Sequence, residues 1–139
     1  MIRYFAYGSN MSKEQMASRG VSIHSTIRCE LSDYRFLYNK KSTDGSSKAN
    51  IKKEEGSIVH GVCFLMDQES FERLMEFEGG YTVLPVTAFD MDRNPIDAET
   101  FISEIISAKE PKSAYVETII KGAREHKLPE SYIKGYLTM

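Results

Sequence analysis

In the segment DQESFERLMEFEGG a carboxylate falls on a stripe suited to a core. Counting i, i+3, i+4 and i+7 from Phe71 reaches Leu74, Met75 and then Glu78, the spacing of an apolar helical face. Glu69, Glu72, Arg73 and Glu76 project from the other sides of the same predicted helix. Glu78 also stands at that helix's expected end, before Gly79 and Gly80, where the macrodipole disfavours a carboxylate anion. Burial acts in the same direction, so the residue is a candidate acid or base for proton exchange near neutral pH. The plain alternative is a carboxylate that ends its helix and reaches solvent past the two glycines.

A second constellation is Tyr7-Gly8-Ser9-Asn10. Gly8 permits positive φ and close approach of a ligand to the backbone, Ser9 and Asn10 add short polar groups, and the helix expected next directs free N–H groups at the same space. A carboxylate or a developing oxyanion suits such a turn, although an ordinary turn with a helix cap has the same spelling. Tyr81 and Tyr115 can each present a hydroxyl to a pocket or serve as core. His24, His60 and His126 are scattered without an HxxxH spacing, so neither a metal site nor a Ser-His-Asp set is expected. Glycine-rich nucleotide fingerprints are absent, and no cofactor is expected.

These residues need elements to hold them. A chain of 139 residues suits one domain, 1–139, with a real core. A formal charge of -2 with interspersed signs gives no basic footprint for nucleic acid or for an anionic membrane. With 27% charged and 41% hydrophobic residues, the chain has the make-up of a folded globular protein. MIRYFAYGSN lacks the apolar core of a secretory signal, and no stretch approaches the roughly 18 apolar residues of a membrane span. A cytoplasmic location is the expectation, with Cys29 and Cys63 as buried, reduced thiols.

Residues 2–7 read as a buried strand, and Ser12 with Gln15 at capping-box spacing opens a helix over 12–19, Asn10 being the alternative cap. Segments 26–31 and 34–39 are predicted as two strands joined near Ser32 and Asp33. KKSTDGSSKAN, residues 40–50, reads as a mobile surface loop at the mouth of a pocket. SIVHGVCFLM is a central strand, Asp67 caps the helix carrying Glu78, Tyr81 begins a strand to about Asp90, and MDRNP turns into a strand near 98–106. Beyond Pro111, the spacing of Tyr115, Ile119, Ile120 and Ala123 predicts a helix, and Pro129 opens a shorter one with Tyr132, Ile133 and Tyr136. About six strands without βαβ alternation predict an α+β domain with a mixed, mostly antiparallel sheet curled toward a barrel, with inserted and C-terminal helices.

FAYGSNM, GVCFLMDQESFERLMEFEGGY and YVETIIKGAREHKLPESY, in that order and spanning most of the chain, resemble the γ-glutamylcyclotransferase family, AIG2-like proteins included. The resemblance implies a small barrel-like α+β domain with an internal cavity, and gives Glu78 the role of catalytic acid/base. It also places the γ-glutamyl group at Tyr7, Gly8, Ser9 and Asn10, with Tyr81 and Tyr115 lining or closing the pocket. The implied reaction closes 5-oxoproline and frees an amine or amino acid without metal, cofactor or covalent intermediate. Lys127 stands where many members have glycine before Leu-Pro, and His60 where tryptophan often precedes Gly-Val. Members act on γ-glutamyl amino acids, glutathione, γ-glutamyl amines or γ-glutamyl-protected antibiotic precursors; the FAYGSN spelling leans toward the amino acid branch.

The implied partner is therefore a small γ-glutamyl molecule, with neither nucleic acid nor membrane; oligomeric state is left open, a homodimer included. Two competing readings are a non-catalytic binding module for a small acidic or γ-glutamyl metabolite, and a partner-binding domain that uses residues 40–50 as its contact surface.

Overall fold

The computed structural model describes residues 1–139. Five strands close into a barrel in the order β1-β3-β2-β4-β5: β1 (Ile2–Ala6), β2 (Ser25–Lys41), β3 (Ser47–Met66), β4 (Thr82–Asp90) and β5 (Pro95–Ile102). Neighbours are antiparallel except β1 and β5, which meet in parallel at Tyr4↔Glu99 and complete the ring. Four helices are named here: α1 (Lys13–Ser18), α2 (Gln68–Met75), α3 (Ser113–Glu125) and the short α4 (Glu130–Tyr132), which runs into a π-helical turn, Ile133–Leu137. No helix is long and apolar enough to cross a membrane.

The barrel is dominated by the β2–β3 hairpin, whose strands of 17 and 20 residues are far longer than the five or six typical of globular proteins. Strands of that length must bend to stay on a small core, and register shifts at Ser32/Tyr34 and Tyr38/Lys40 supply the bends. Segments 26–31 and 34–39 are therefore one strand and not two. Asp33, at φ 65, is a bulge residue within it rather than a connecting turn. Residues 40–50 are likewise not a free loop: Lys40 and Lys41 pair with Lys48 and Ser47, and only the turn between them is unpaired. Ala49 and Asn50 are buried. The β4–β5 hairpin starts its second strand at Pro95, three residues before the expected point, and the strand ends at Ile102. Five strands stand where about six were expected, because the long β2 absorbs two of them.

Apolar side chains fill the ring and the layer beneath the helices, with Phe5, Phe64, Ile51, Val62 and Leu74 fully buried. Cys29 and Cys63 are buried free thiols, their Sγ atoms 2.9 Å apart. Helix ends are set by local chemistry. Ser12 Oγ accepts from Gln15 N and Asp67 Oδ1 from Ser70 N, opening α1 and α2. Helix α1 closes in a Schellman turn, with Gly20 at φ 75 and bonds from Gly20 N to Ala17 O and Val21 N to Met16 O. Helix α3 closes in the same way through Leu128 N to Ala123 O, but with Lys127 in the left-handed position at φ 60. A side chain at this position bears a strain that glycine would not.

Helix α3 lies directly on the turn after β1. A Cβ at Gly122 would meet Ser12 N at 3.0 Å and Met11 Cβ at 3.1 Å, so only glycine allows that approach. His126 Nε2 lies 2.7 Å from Met11 O, which can only accept, so that nitrogen carries the proton and fastens the helix to the turn.

Candidate active site

Glu78 is not on the helix that its spacing suggested. Helix α2 ends at Met75, and a tight turn follows, with Phe77 N bonded to Leu74 O, Glu78 N to Met75 O and Tyr81 N to Glu78 O. The turn rolls Phe77 outward, 51% exposed, and Met75 also faces solvent. It rolls Glu78 inward, leaving the side chain 12% exposed. The residue singled out by periodicity is mostly buried, but by the turn and not by a helical face.

What receives it is the segment after β1, where Ser9–Met11 form a single 3-10 turn. Asn10 Nδ2 donates to Glu78 Oε1 at 2.5 Å and to the Tyr4 hydroxyl at 3.0 Å. Its Oδ1 accepts from Gln15 Nε2 at 3.0 Å and Arg19 Nη1 at 2.8 Å. The guanidinium of Arg19 is an obligate donor, so it fixes which end of the Asn10 amide faces the carboxylate. Arg19 Nη1 also stands 3.4 Å from Glu78 Oε1, with its guanidinium 4.9 Å from the Phe77 ring centroid. Gln15 Nε2 additionally donates to Ser9 Oγ at 2.8 Å. The capping box is thus half made: Ser12 caps α1, while the Gln15 side chain serves the site.

Tyr81 and Tyr115 converge on the backbone of one residue, Ala49. The Tyr81 hydroxyl donates to Ala49 O at 2.6 Å, and the Tyr115 hydroxyl accepts from Ala49 N at 2.9 Å. Tyr7 turns its hydroxyl away, donating to Phe101 O at 2.6 Å, so it contributes a ring wall rather than a polar contact. All seven residues expected at a site line a single narrow hollow of about 30 Å³: Tyr7, Gly8, Ser9, Asn10, Glu78, Tyr81 and Tyr115. Ser9, Glu78, Tyr81 and Tyr115 also border an outer cleft of about 420 Å³, so the two spaces are one funnel. A depression of about 390 Å³ on the far side of the barrel, at Arg3, Val86 and Asp97, has no comparable buried network.

Sequence reasoning missed Arg19, Gln15 and the lysines of the cleft, Lys40 and Lys48. Arg19 is the residue after a short helix and Gln15 a helix-surface side chain, so neither carries a local signal. Lys40 Nζ donates to Gly79 O at 2.7 Å and so braces the turn that presents Glu78.

Burial pushes the Glu78 carboxyl above its ordinary value, against the opposing pull of the Asn10 hydrogen bond and the Arg19 and Lys40 charges. Burial likewise pushes the Tyr115 hydroxyl up to about 12 and Tyr81 higher still, so both stay protonated at neutral pH. The arrangement is one buried carboxylate poised to exchange a proton, beside neutral hydroxyls and a polar turn, which suits proton transfer on a small bound molecule.

A family model described as the AIG2-like family matches residues 58–136. The chain is similar to proteins named gamma-glutamylcyclotransferase from Mus musculus, 26% identical over 138 residues that cover 93% of this chain and 73% of that protein. The Homo sapiens protein of the same name is 27% identical over the same shares. Among solved structures, one titled gamma-glutamyl cyclotransferase matches with a TM-score of 0.87 at 25% identity, covering 96% of this chain and 85% of that one. A yeast structure titled as a cyclotransferase specific to glutathione shares the fold with a TM-score of 0.69 at 10% identity over 92% of this chain and 88% of its own.

Proposed function

The chain belongs to the AIG2-like family, and from that premise we propose that it is a γ-glutamylcyclotransferase with Glu78 as its general base and acid. The observation that carries this reading is the mostly buried Glu78 carboxylate, fixed by Asn10 and Arg19 at the meeting of a hollow and a cleft. Relatives named for the activity support the reaction class.

The glutamyl group occupies the inner end of the funnel that cleft and hollow form together, with its α-ammonium toward Glu78. The carboxylate removes one proton, and the freed amine attacks the γ-carbonyl carbon of the same residue. A five-membered ring forms, which gains the large proximity advantage of an intramolecular attack. The C–N bond to the departing amine then breaks as Glu78 returns its proton to that nitrogen, and the second proton of the ring nitrogen follows by way of Glu78, so that the amine leaves as an ammonium ion. The products are 5-oxoproline and the free amine. A raised carboxylate pKa suits both halves of this shuttle, because the group must give up its proton as readily as it takes one. Polar groups of the Gly8–Asn10 turn face the charge of the substrate's α-carboxylate and γ-carbonyl oxygen.

Supplying a panel of γ-glutamyl amino acids, peptides and amines tests the reading, with 5-oxoproline release as the readout. Release is expected from at least one member, and Glu78→Gln is expected to lower it by about 10²- to 10⁴-fold. The near-isosteric amide preserves the fold, checked by an unaltered circular dichroism spectrum. A panel that yields no 5-oxoproline from unaltered protein would sink the assignment.

A further inference from the structure

The outer cleft carries more positive charge than the proton shuttle uses. Arg19, Lys40 and Lys48 border it, against the single carboxylate of Glu78. Lys40 and Lys48 are directly opposed across the β2–β3 hairpin, where like charges repel and weaken the pairing. Asp44 offsets this only in part. It stands 3.8 Å from Lys48 Nζ, too far for a hydrogen bond, and is closer to Lys112 at 3.2 Å. The two ammonium groups flank the passage between cleft and hollow: Lys40 Nζ lies 4.9 Å from the Tyr81 ring centroid and Lys48 Nζ 4.2 Å from that of Tyr115. Those are the two tyrosines that border both spaces.

The lysines differ in what they have left to offer. Lys40 is nearly buried and spends a donor on Gly79 O. Lys48 is more open, with its side chain 28% exposed, and makes no hydrogen bond to the protein. A glutamyl group seated at Glu78 leaves the departing half of its molecule in the cleft, beside this ammonium. Resting on the cyclotransferase reading, we propose that Lys48, backed by Lys40, binds a carboxylate on the departing amine and so selects γ-glutamyl amino acids and peptides over γ-glutamyl amines.

γ-Glutamylalanine and γ-glutamylethylamine isolate this contact, since their departing amines differ by the carboxylate alone. Affinity is measured by calorimetry on the Glu78→Gln chain, which holds either ligand without turnover, and kcat/KM on the chain with Glu78 intact. The alanine conjugate is expected to be preferred by about tenfold, the scale of a charge-assisted hydrogen bond. Adding Lys48→Met should reduce that preference to about twofold or less, while Lys48→Arg retains most of it. A preference near one in the unsubstituted site, or one that survives Lys48→Met, overturns the proposal. Equal losses for both ligands also overturn it, because the lysine would then be reading the glutamyl carboxylate. If no member of the γ-glutamyl panel yields 5-oxoproline but the affinity ratio behaves as expected, the cyclotransferase reading fails and the carboxylate subsite stands. Failure of the alanine conjugate to bind at all removes the subsite.

Discussion

Burial raises the Glu78 pKa while Asn10, Arg19 and Lys40 pull it back, so the basicity of this carboxylate is set by its burial and three neighbouring side chains and not by its own type. Arg19 acts twice. Its charge favours the ionised form directly, and its hydrogen bond to Asn10 Oδ1 keeps the amide's N–H side toward the carboxylate. Arg19→Met removes both effects, and the carboxyl then holds its proton to a higher pH. Since the reaction starts from the carboxylate, the acid limb of kcat/KM for 5-oxoproline release should move to higher pH. Activity at the acid end should fall by roughly tenfold, the scale of one lost charge-assisted contact. Arg19→Lys keeps the charge and should shift the limb less. A merely structural arginine would lower activity evenly across pH and leave the limb in place.

At the scale of elements, the site depends on how the β2–β3 hairpin is anchored. Asn50, buried near the turn end of β3, donates to Asn39 Oδ1 and Ser103 O and accepts from Ser103 N, all at 2.9–3.0 Å. It ties the hairpin to the segment leaving β5. Asn50→Ala leaves two buried backbone groups of Ser103 without partners, a cost of about 3 kcal/mol. The expected readout is a lower denaturant midpoint with an unchanged slope. Parts of this architecture were legible in the chain itself, because they are local. The Ser12 and Asp67 caps, the apolar β1 and the face of α3 each follow from residues within a few positions. The anchoring was not, since strand register and bulges answer to distant partners. Residues 40–50 look like a loop by composition, and their pairing across the β2–β3 hairpin is held by distant partners, among them Tyr81 and Tyr115, 32 and 66 positions from Ala49, which bond its backbone O and N. Glu78 was legible for a partly mistaken reason: the count from Phe71 passes the helix end at Met75, and the following turn happens to point the same residue inward. Arg19 gave no signal, because its partners are assembled by the Schellman turn at Gly20 and the return of the chain after α2.

Across the whole molecule, a buried acid with a raised pKa is a load on stability that grows with pH. Between the ordinary glutamate value and the raised one, the folded chain holds a proton on Glu78 that the unfolded chain has released. The folded state then binds more protons than the unfolded state, so the free energy of unfolding falls as pH rises through that window and levels off above it. Asp67 and Asp90 act oppositely. Backbone hydrogen bonds, from Ser70 to Asp67 and from Asn94 to Asp90, hold their carboxyls below the usual range. Their contribution is present above the unfolded value and is lost as pH falls through the folded one. The melting temperature should therefore climb from strong acid to about pH 4 and then decline as Glu78 ionises. Glu78→Gln retains the climb and removes the decline, because an amide accepts from Asn10 without ionising. Melting curves of both chains from about pH 3 to about pH 8 should nearly coincide at the acid end and separate above it, with the variant the more stable. Parallel curves would show that folding does not oppose the ionisation of Glu78, and would leave the proposed proton shuttle without its raised pKa.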